Sequence, residues 1–428
     1  MMAEITEAHR LSLPGPDNIM RTELSNGIVL YVRSNFHTQS VVVSGYLMAG
    51  GLFDEDEKLG LADFTAGALM RGTNKYSFHE IYDALESAGA NLHINGGTHT
   101  TGFGSKALAE DLDLVLDLLA ESLRHPVFPA DQVELLRAQI LTSLAIRAQD
   151  TREMANRTFD QIIYDGHPYA RPEDGFPETI QTITRDDLVD FQRKFYGPRG
   201  MVIAVVGAVE PEQVTEKMEH RLGTWENSDQ PAPFELPLIP EPAEPLTRKY
   251  DIPGKFQSDL VLGAVGPERR SPEFLAAALG NNILGVFGMM GRIGEVVREK
   301  AGLAYYAYSS LSGGMGPGPW YVSAGVDPQN VEKTLELVTT EVEHFTSELI
   351  SADELADSQS NFIGRLPLSL ESNAGMASAI LNLERYELGL DYYRRYPDLV
   401  RAVSRDDILE TARKYLSSDR LGAGIAGP

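Results

Sequence analysis

The feature that most constrains this chain is an internal duplication. Residues 184–207 read TRDDLVDFQRKFYGPRGMVIAVVG and residues 404–427 read SRDDILETARKYLSSDRLGAGIAG, an ungapped match at an offset of 220 residues. Self-similarity over that distance means that one supersecondary unit is used twice. Thr184 and Ser404 each stand three residues before an aspartate, Asp187 and Asp407. That is the pattern of a helix start whose side chains cap one another's backbone. Arg193-Lys194-Phe195 and Arg413-Lys414-Tyr415 then place basic residues at the helix end, where the dipole is negative. An apolar strand closes each copy. Weaker echoes keep the order: 129–144 resembles 351–366, and SAGANLHI at 87–94 resembles KAGLAYYA at 300–307. Six prolines fall between Pro231 and Pro245, so the chain between the copies is extended. This divides the protein into a first half at 1–228, a linker at 229–247 and a second half at 248–428.

Local patterns set the fold class. Asn26-Gly27 and Asn95-Gly96-Gly97 mark hairpins, and SVVVSGYLMAGG reads as a buried strand. Helical periodicity runs through LADFTAGALMRG and FHEIYDALESAG, each stopped by glycine, and through 109–124, 130–149, 151–165 and 185–195. Strands next to hairpins, with helices grouped apart from them, predict an α+β protein. Each half is expected to be a mixed, mainly antiparallel sheet with helices packed on one face.

Composition then narrows the function. The chain of 428 residues has no cysteine, which excludes disulfides, thiolate metal sites and a cysteine nucleophile. A formal net charge of −25 disfavours nucleic acid as a partner. No run of 18 apolar residues and no leader-like N-terminus is present, so no membrane partner and a cytoplasmic location are expected.

The segment Lys58-Leu59-Gly60-Leu61-Ala62-Asp63-Phe64-Thr65-Ala66-Gly67-Ala68-Leu69-Met70-Arg71-Gly72-Thr73 carries a specific resemblance. It is similar to the zinc helix of the insulinase/pitrilysin metallopeptidases, the group that includes mitochondrial processing peptidase. Active members carry H-x-x-E-H there, two imidazoles on one helix face with a glutamate base beside them. Here those positions are Asp63, Ala66 and Gly67. A third ligand is a glutamate one helix downstream; the matching stretch is Ile140-Leu141-Thr142-Ser143-Leu144. The resemblance therefore implies no metal and no cofactor in this chain.

In the second half, Arg298-Glu299-Lys300-Ala301-Gly302-Leu303-Ala304-Tyr305 resembles the family's R-E-K-x-G-L-x-Y segment. In active members that arginine and tyrosine bind the substrate backbone and support the oxyanion, a role suited to a guanidinium and a phenol. The spacing predicts that Arg298 ends a helix, Gly302 breaks it and Tyr305 begins a strand. Some members divide these duties between two chains. With the metal motif erased and the pair kept, this chain matches the non-zinc type. The resemblance then implies a peptide substrate and a homologous zinc-bearing partner. Arg298 and Tyr305 would be this chain's catalytic and substrate-binding residues. The alternative is a silent scaffold, as in family members kept as core subunits of larger assemblies, with self-association as its main form.

Three further candidates have plain structural readings. His93 and His99 flank the Asn95-Gly96-Gly97 turn and read as a half-exposed pair on one face of a hairpin. Gly313–Gly318 lies between two strands, so it reads as a hairpin loop near the active cleft rather than a phosphate cradle. His167 resembles a family loop residue, not a ligand.

Overall fold

The computed structural model describes residues 13–240 and 244–428. In the first half, strands β1 (Met20–Glu23), β2 (Val29–Ser34) and β3 (Ser40–Leu47) precede helices α1 (Leu61–Ala68) and α2 (Phe78–Ser87). A hairpin of β4 (Asn91–Asn95) and β5 (Thr101–Leu108) follows, then α3 (Leu112–Arg124), α4 (Ala130–Arg147) and α5 (Thr151–Ile163). The half closes with α6 (Pro177–Thr182), α7 (Arg185–Phe195), β6 (Val202–Gly207) and α8 (Pro211–Leu222).

The second half repeats the plan. It comprises β7 (Leu246–Asp251), β8 (Ser258–Val265), α9 (Phe274–Gly285), α10 (Phe287–Ile293) and a π-helical turn at Gly294–Lys300. Then come β9 (Ala304–Leu311), β10 (Pro319–Val326), α11 (Val331–Ser347), α12 (Ala352–Ser369), α13 (Asn373–Arg385), α14 (Tyr392–Ala402), α15 (Arg405–Leu416) and β11 (Gly422–Gly427). The strand orders are β1-β2-β6-β3-β5-β4 and β7-β11-β8-β10-β9, the same order with one added edge hairpin strand in the first sheet. The β2–β6 and β7–β11 pairs are parallel and the others antiparallel. This is the two-domain α+β arrangement that the repeat predicts.

The repeated segments fold alike for local reasons. Thr184 and Ser404 accept hydrogen bonds from the backbone N–H groups of Asp187 and Asp407, and each aspartate reaches back to its cap. Each such cap stabilises its helix by about 1 kcal/mol. At the hairpins, Gly27 takes a left-handed φ of 87°, which a side chain would resist.

Each sheet is covered on both faces, but not by the same half. Alternate residues of β2, β3 and β6 (Leu30, Val32, Val41, Val43, Ile203, Val205) face the first half's own helices. The other set (Tyr31, Val42, Tyr46, Val202, Ala204, Val206) faces Met376, Ala377 and Ile380 of α13. In return, α5 buries Ala155, Phe159 and Ile162 against Val261 and Ala426 of the second sheet. The halves thus exchange equivalent helices. Gly422 and Gly424 of β11 permit this approach: a Cβ at Gly424 would collide with the Ala155 carbonyl and lie 2.5 Å from Phe159 N. The second core is centred on the fully buried Trp320, whose Nε1 donates to Asn281 Oδ1 at 3.1 Å.

The stretch Phe274–Lys300 is, by length and composition alone, apolar enough to cross a membrane. Its first part instead lies in the second core, and left-handed residues at Gly288, Met290 and Gly291 interrupt it. It is a core segment broken into turns.

Candidate functional site

The N-terminus of α1 is held by Asp54, which accepts from the N–H groups of Gly60 at 2.9 Å and Ala62 at 3.0 Å. Burial pushes this carboxyl up to about 7, and the two N–H groups pull against that shift. One turn on, Asp63 faces the loop joining β4 to β5, where a Cβ at Gly96 would lie 2.6 Å from Asp63 Cα. Burial first, then Asp174 and Glu173, raise Asp63 to about 6; a backbone hydrogen bond from Gly96 opposes them.

Ala66 is buried, and a Cβ on Gly67 would meet only Leu136, at 3.4 Å. On α4, Ile140 and Leu141 pack against the first core and Leu144 is buried within it. One carboxyl is therefore all that stands where a catalytic zinc needs three protein ligands and a base beside them. Among the described residues no group of three or more His, Asp or Glu side chains could hold a metal. The residues present do not fit zinc.

Asp63 lines a cavity of about 1080 Å³ between the two halves. One wall is a face of α5, with Glu153, Asn156, Arg157, Asp160 and Tyr164 at helical spacing. The other wall is second-half backbone from Gly313 to Gly318, together with Arg269. This glycine loop does join two strands. A side chain at Gly316 would collide with the Tyr169 hydroxyl, and Tyr164 Oη donates to the Pro317 carbonyl at 3.0 Å. The α5 wall is absent from the sequence reading. Its signal was there: the polar residues of 151–165 sit on one face and the apolar ones on the other, a pattern that ordinarily marks a solvated face. Among the described residues Asp160 has no hydrogen-bond partner for its carboxyl, and burial pushes it up to about 7.

The two histidines of the hairpin are not a pair, which corrects the sequence expectation. The register sets His93 opposite Gly104, with its exposed ring over that glycine. β4 stops at Asn95 and β5 starts at Thr101, so His99 lies in the five-residue loop and turns inward. Its Nε2 sits 2.6 Å from Tyr169 Oη, and burial drives its pKa down to about 4. His167 is a structural residue: Nδ1 accepts from the Tyr169 N–H, and Nε2 lies 3.2 Å from the Pro237 carbonyl in the linker.

Arg298 and Tyr305 do not line this cavity. Arg298 lies on the π-helical turn with Glu299 3.5 Å away, and Gly302 follows at a left-handed φ of 62°. Tyr305 is 88% exposed on β9, the edge strand of the second sheet. Tyr306 pairs with Gly325 and Ala304 with Val326, so Tyr305 is the unmatched residue of a bulge. Its neighbours Tyr306 and Tyr308 are engaged by Asp259 and Arg152. Helix end, glycine break and strand start therefore fall where the spacing placed them, but the chain does not bring the pair to its own degenerate motif.

Two family models match in tandem: "Insulinase (Peptidase family M16)" over residues 29–172 and "Peptidase M16 inactive domain" over 182–362. The chain belongs to the insulinase family, peptidase family M16. Relatives include an uncharacterized zinc protease of Streptomyces coelicolor, 25% identical over 97% of this chain and 90% of that protein. Another is the uncharacterized zinc protease YmxG of Bacillus subtilis, 24% identical over 94% of this chain and 96% of that one. Among solved structures, a peptidase M16 inactive domain from Pseudomonas fluorescens superimposes with a TM-score of 0.89 at 24% identity, covering 96% and 98% of the two chains. A Helicobacter pylori protease gives 0.88 at 20% identity, covering 97% and 100%. At such identities the structures share the insulinase-family fold, and that is the extent of the likeness.

Proposed function

We propose that this chain is the non-zinc-binding subunit of a two-chain, cytoplasmic zinc peptidase acting on peptides or unfolded segments. The observation that carries this reading is a separation. The metal motif is replaced by Asp63, Ala66 and Gly67, while Tyr305 stands 88% exposed on a sheet edge, outside the chain's own cavity. An exposed phenol with Arg298 near it in sequence supports a role toward another chain. Zinc and its general base would come from a homologous partner with an intact H-x-x-E-H helix. The relatives described as zinc proteases support a peptidase context. In that setting Tyr305 would donate to the oxyanion and Arg298 would hold the substrate backbone, both acting as preorganised donors.

The test is co-purification of this chain with its H-x-x-E-H homologue, followed by peptide hydrolysis assays. Tyr305→Phe in the pair should lower kcat by about 10²-fold, the scale of one lost oxyanion donor, with zinc content unchanged. Full activity in that variant would remove Tyr305 from the mechanism. Failure to capture any zinc-bearing homologue would favour a silent scaffold.

A further inference from the structure

One wall of the cavity carries a charge that the chain does not match. Arg157 is half-buried on α5 with its guanidinium 4.5 Å over the Phe176 ring; among the described residues no carboxylate lies within ion-pair distance of it, and Asp174 acts on it only from further away. Other arginines on these walls have carboxylate partners. Arg147 pairs with Asp174, and Arg171 donates to Asp56 and to the Asp54 and Leu52 carbonyls. Arg269, from the second half, is like Arg157: it lies among the rings of Phe274, Tyr386 and Tyr392 and donates to Tyr392 Oη at 3.0 Å, with no carboxylate partner among the described residues.

Among the described residues the same walls also carry carboxyls without a cation partner: Asp63, Glu153, Asp160 and Glu173. The two kinds of unmatched charge are not equivalent. A carboxyl sheds its charge by taking a proton, and burial pushes Asp63 and Asp160 in that direction. A guanidinium has no such escape and presents a planar fork of donors that fits a carboxylate. Near neutral pH the cavity therefore keeps its positive charge at Arg157 and Arg269 while losing part of its negative charge. Glu153, one turn before Arg157 on the same face, and Glu173, which accepts from the Thr98 hydroxyl, are the remaining opposing charges.

We propose that this cavity captures peptides by a carboxylate group, with Arg157 as the receiving guanidinium. The size suits a peptide better than a small acid, since about 1080 Å³ is at the upper end of ligand pockets. The Asn156 and Asn382 amides and the backbone of the glycine loop line the same space and can serve peptide groups. The carboxylate can come from a C-terminus or from an acidic side chain. The proposal needs neither zinc nor a partner, so it stands or falls separately from the roles of Arg298 and Tyr305.

The experiment is calorimetric titration of the purified full chain with three N-acetylated octapeptides of one neutral sequence. The first ends in a free carboxylate, the second in an amide, and the third in an amide with one internal glutamate. A carboxylate-bearing peptide should bind about tenfold tighter than the neutral amide, the scale of one charge-assisted hydrogen bond. Preference for the first assigns the site to C-termini, and preference for the third to acidic side chains. Arg157→Gln should abolish the preference with the melting temperature maintained. If that variant does not fold, Arg157→Lys, which keeps the charge but loses the fork, should retain only a reduced preference. Equal or undetectable binding of all three peptides, or a preference that survives Arg157→Gln, overturns the proposal.

Discussion

Asp160 shows how a single residue here departs from its sequence pattern. An aspartate on the polar face of a helix ordinarily meets water, but α5 is roofed by the second half, and burial pushes this carboxyl up to about 7. The folded chain therefore holds a proton that the unfolded chain gives up near pH 4. Stability from this group is fully present below pH 4 and is lost as pH rises through about 7. Asp63, raised to about 6, acts in the same direction. Asp160→Asn should thus match the parent's melting temperature at pH 4 and exceed it at pH 8. Parallel melting curves against pH for parent and variant would refute the assignment. Trp320 lies at the other extreme, fully buried, with its indole N–H bonded to Asn281. Trp320→Ala should cost about 3–5 kcal/mol in denaturant unfolding, and a loss under 1 kcal/mol would mean that the second core collapses around the gap.

At the scale of elements, the repeat was legible down to side chains that cap helices. Helix 185–195 was read from its cap and its basic end, and α7 spans Arg185–Phe195. The two capping boxes are equivalent, so Thr184→Ala and Ser404→Ala should each lower stability by about 1 kcal/mol and add in the double variant. Strongly unequal losses would show that the copies have diverged in how they use the motif. The glycines of β11 belong to a different class. In sequence GAGIAG reads as a short apolar strand, and the structure adds that Gly422 and Gly424 let α5 settle on the sheet. Gly424→Val should destabilise by at least about 1–3 kcal/mol, because its Cβ meets backbone that cannot turn aside. A neutral effect in urea titration would mean that α5 can lift away from β11. The hairpin histidines went the other way, since symmetry about a turn in sequence does not fix the loop length on which register depends.

For the whole molecule, the exchange of α5 and α13 decides how the halves cooperate. Each sheet has one face closed by the other half's helix, so neither half can bury all of its apolar surface by itself. Unfolding should then be a single cooperative transition, with calorimetric and van't Hoff enthalpies in agreement. Residues 1–228 and 248–428 expressed separately should fail to give folded monomers, and should recover native circular dichroism only when mixed. Two independent melting transitions, or a well-folded isolated half, would show that the exchange is not essential. The cavity is a product of the same exchange, because α5 supplies one wall and the second half's glycine loop the other.

The sequence by itself determined the duplication, the α+β class, the family resemblance and the loss of the zinc donors. Each of these is carried by residue type and spacing along the chain, and the helices and hairpins follow from short-range caps and turns. Tertiary structure alone decided which half's sheet each helix covers, that His99 turns inward while His93 does not, and that Arg157 and Asp160 face a shared cavity. Periodicity shows which face of a helix is apolar but not which surface meets it. The unmatched charge at Arg157 depends on three-dimensional neighbours up to the far half of the chain, so it becomes visible only once the halves are folded together.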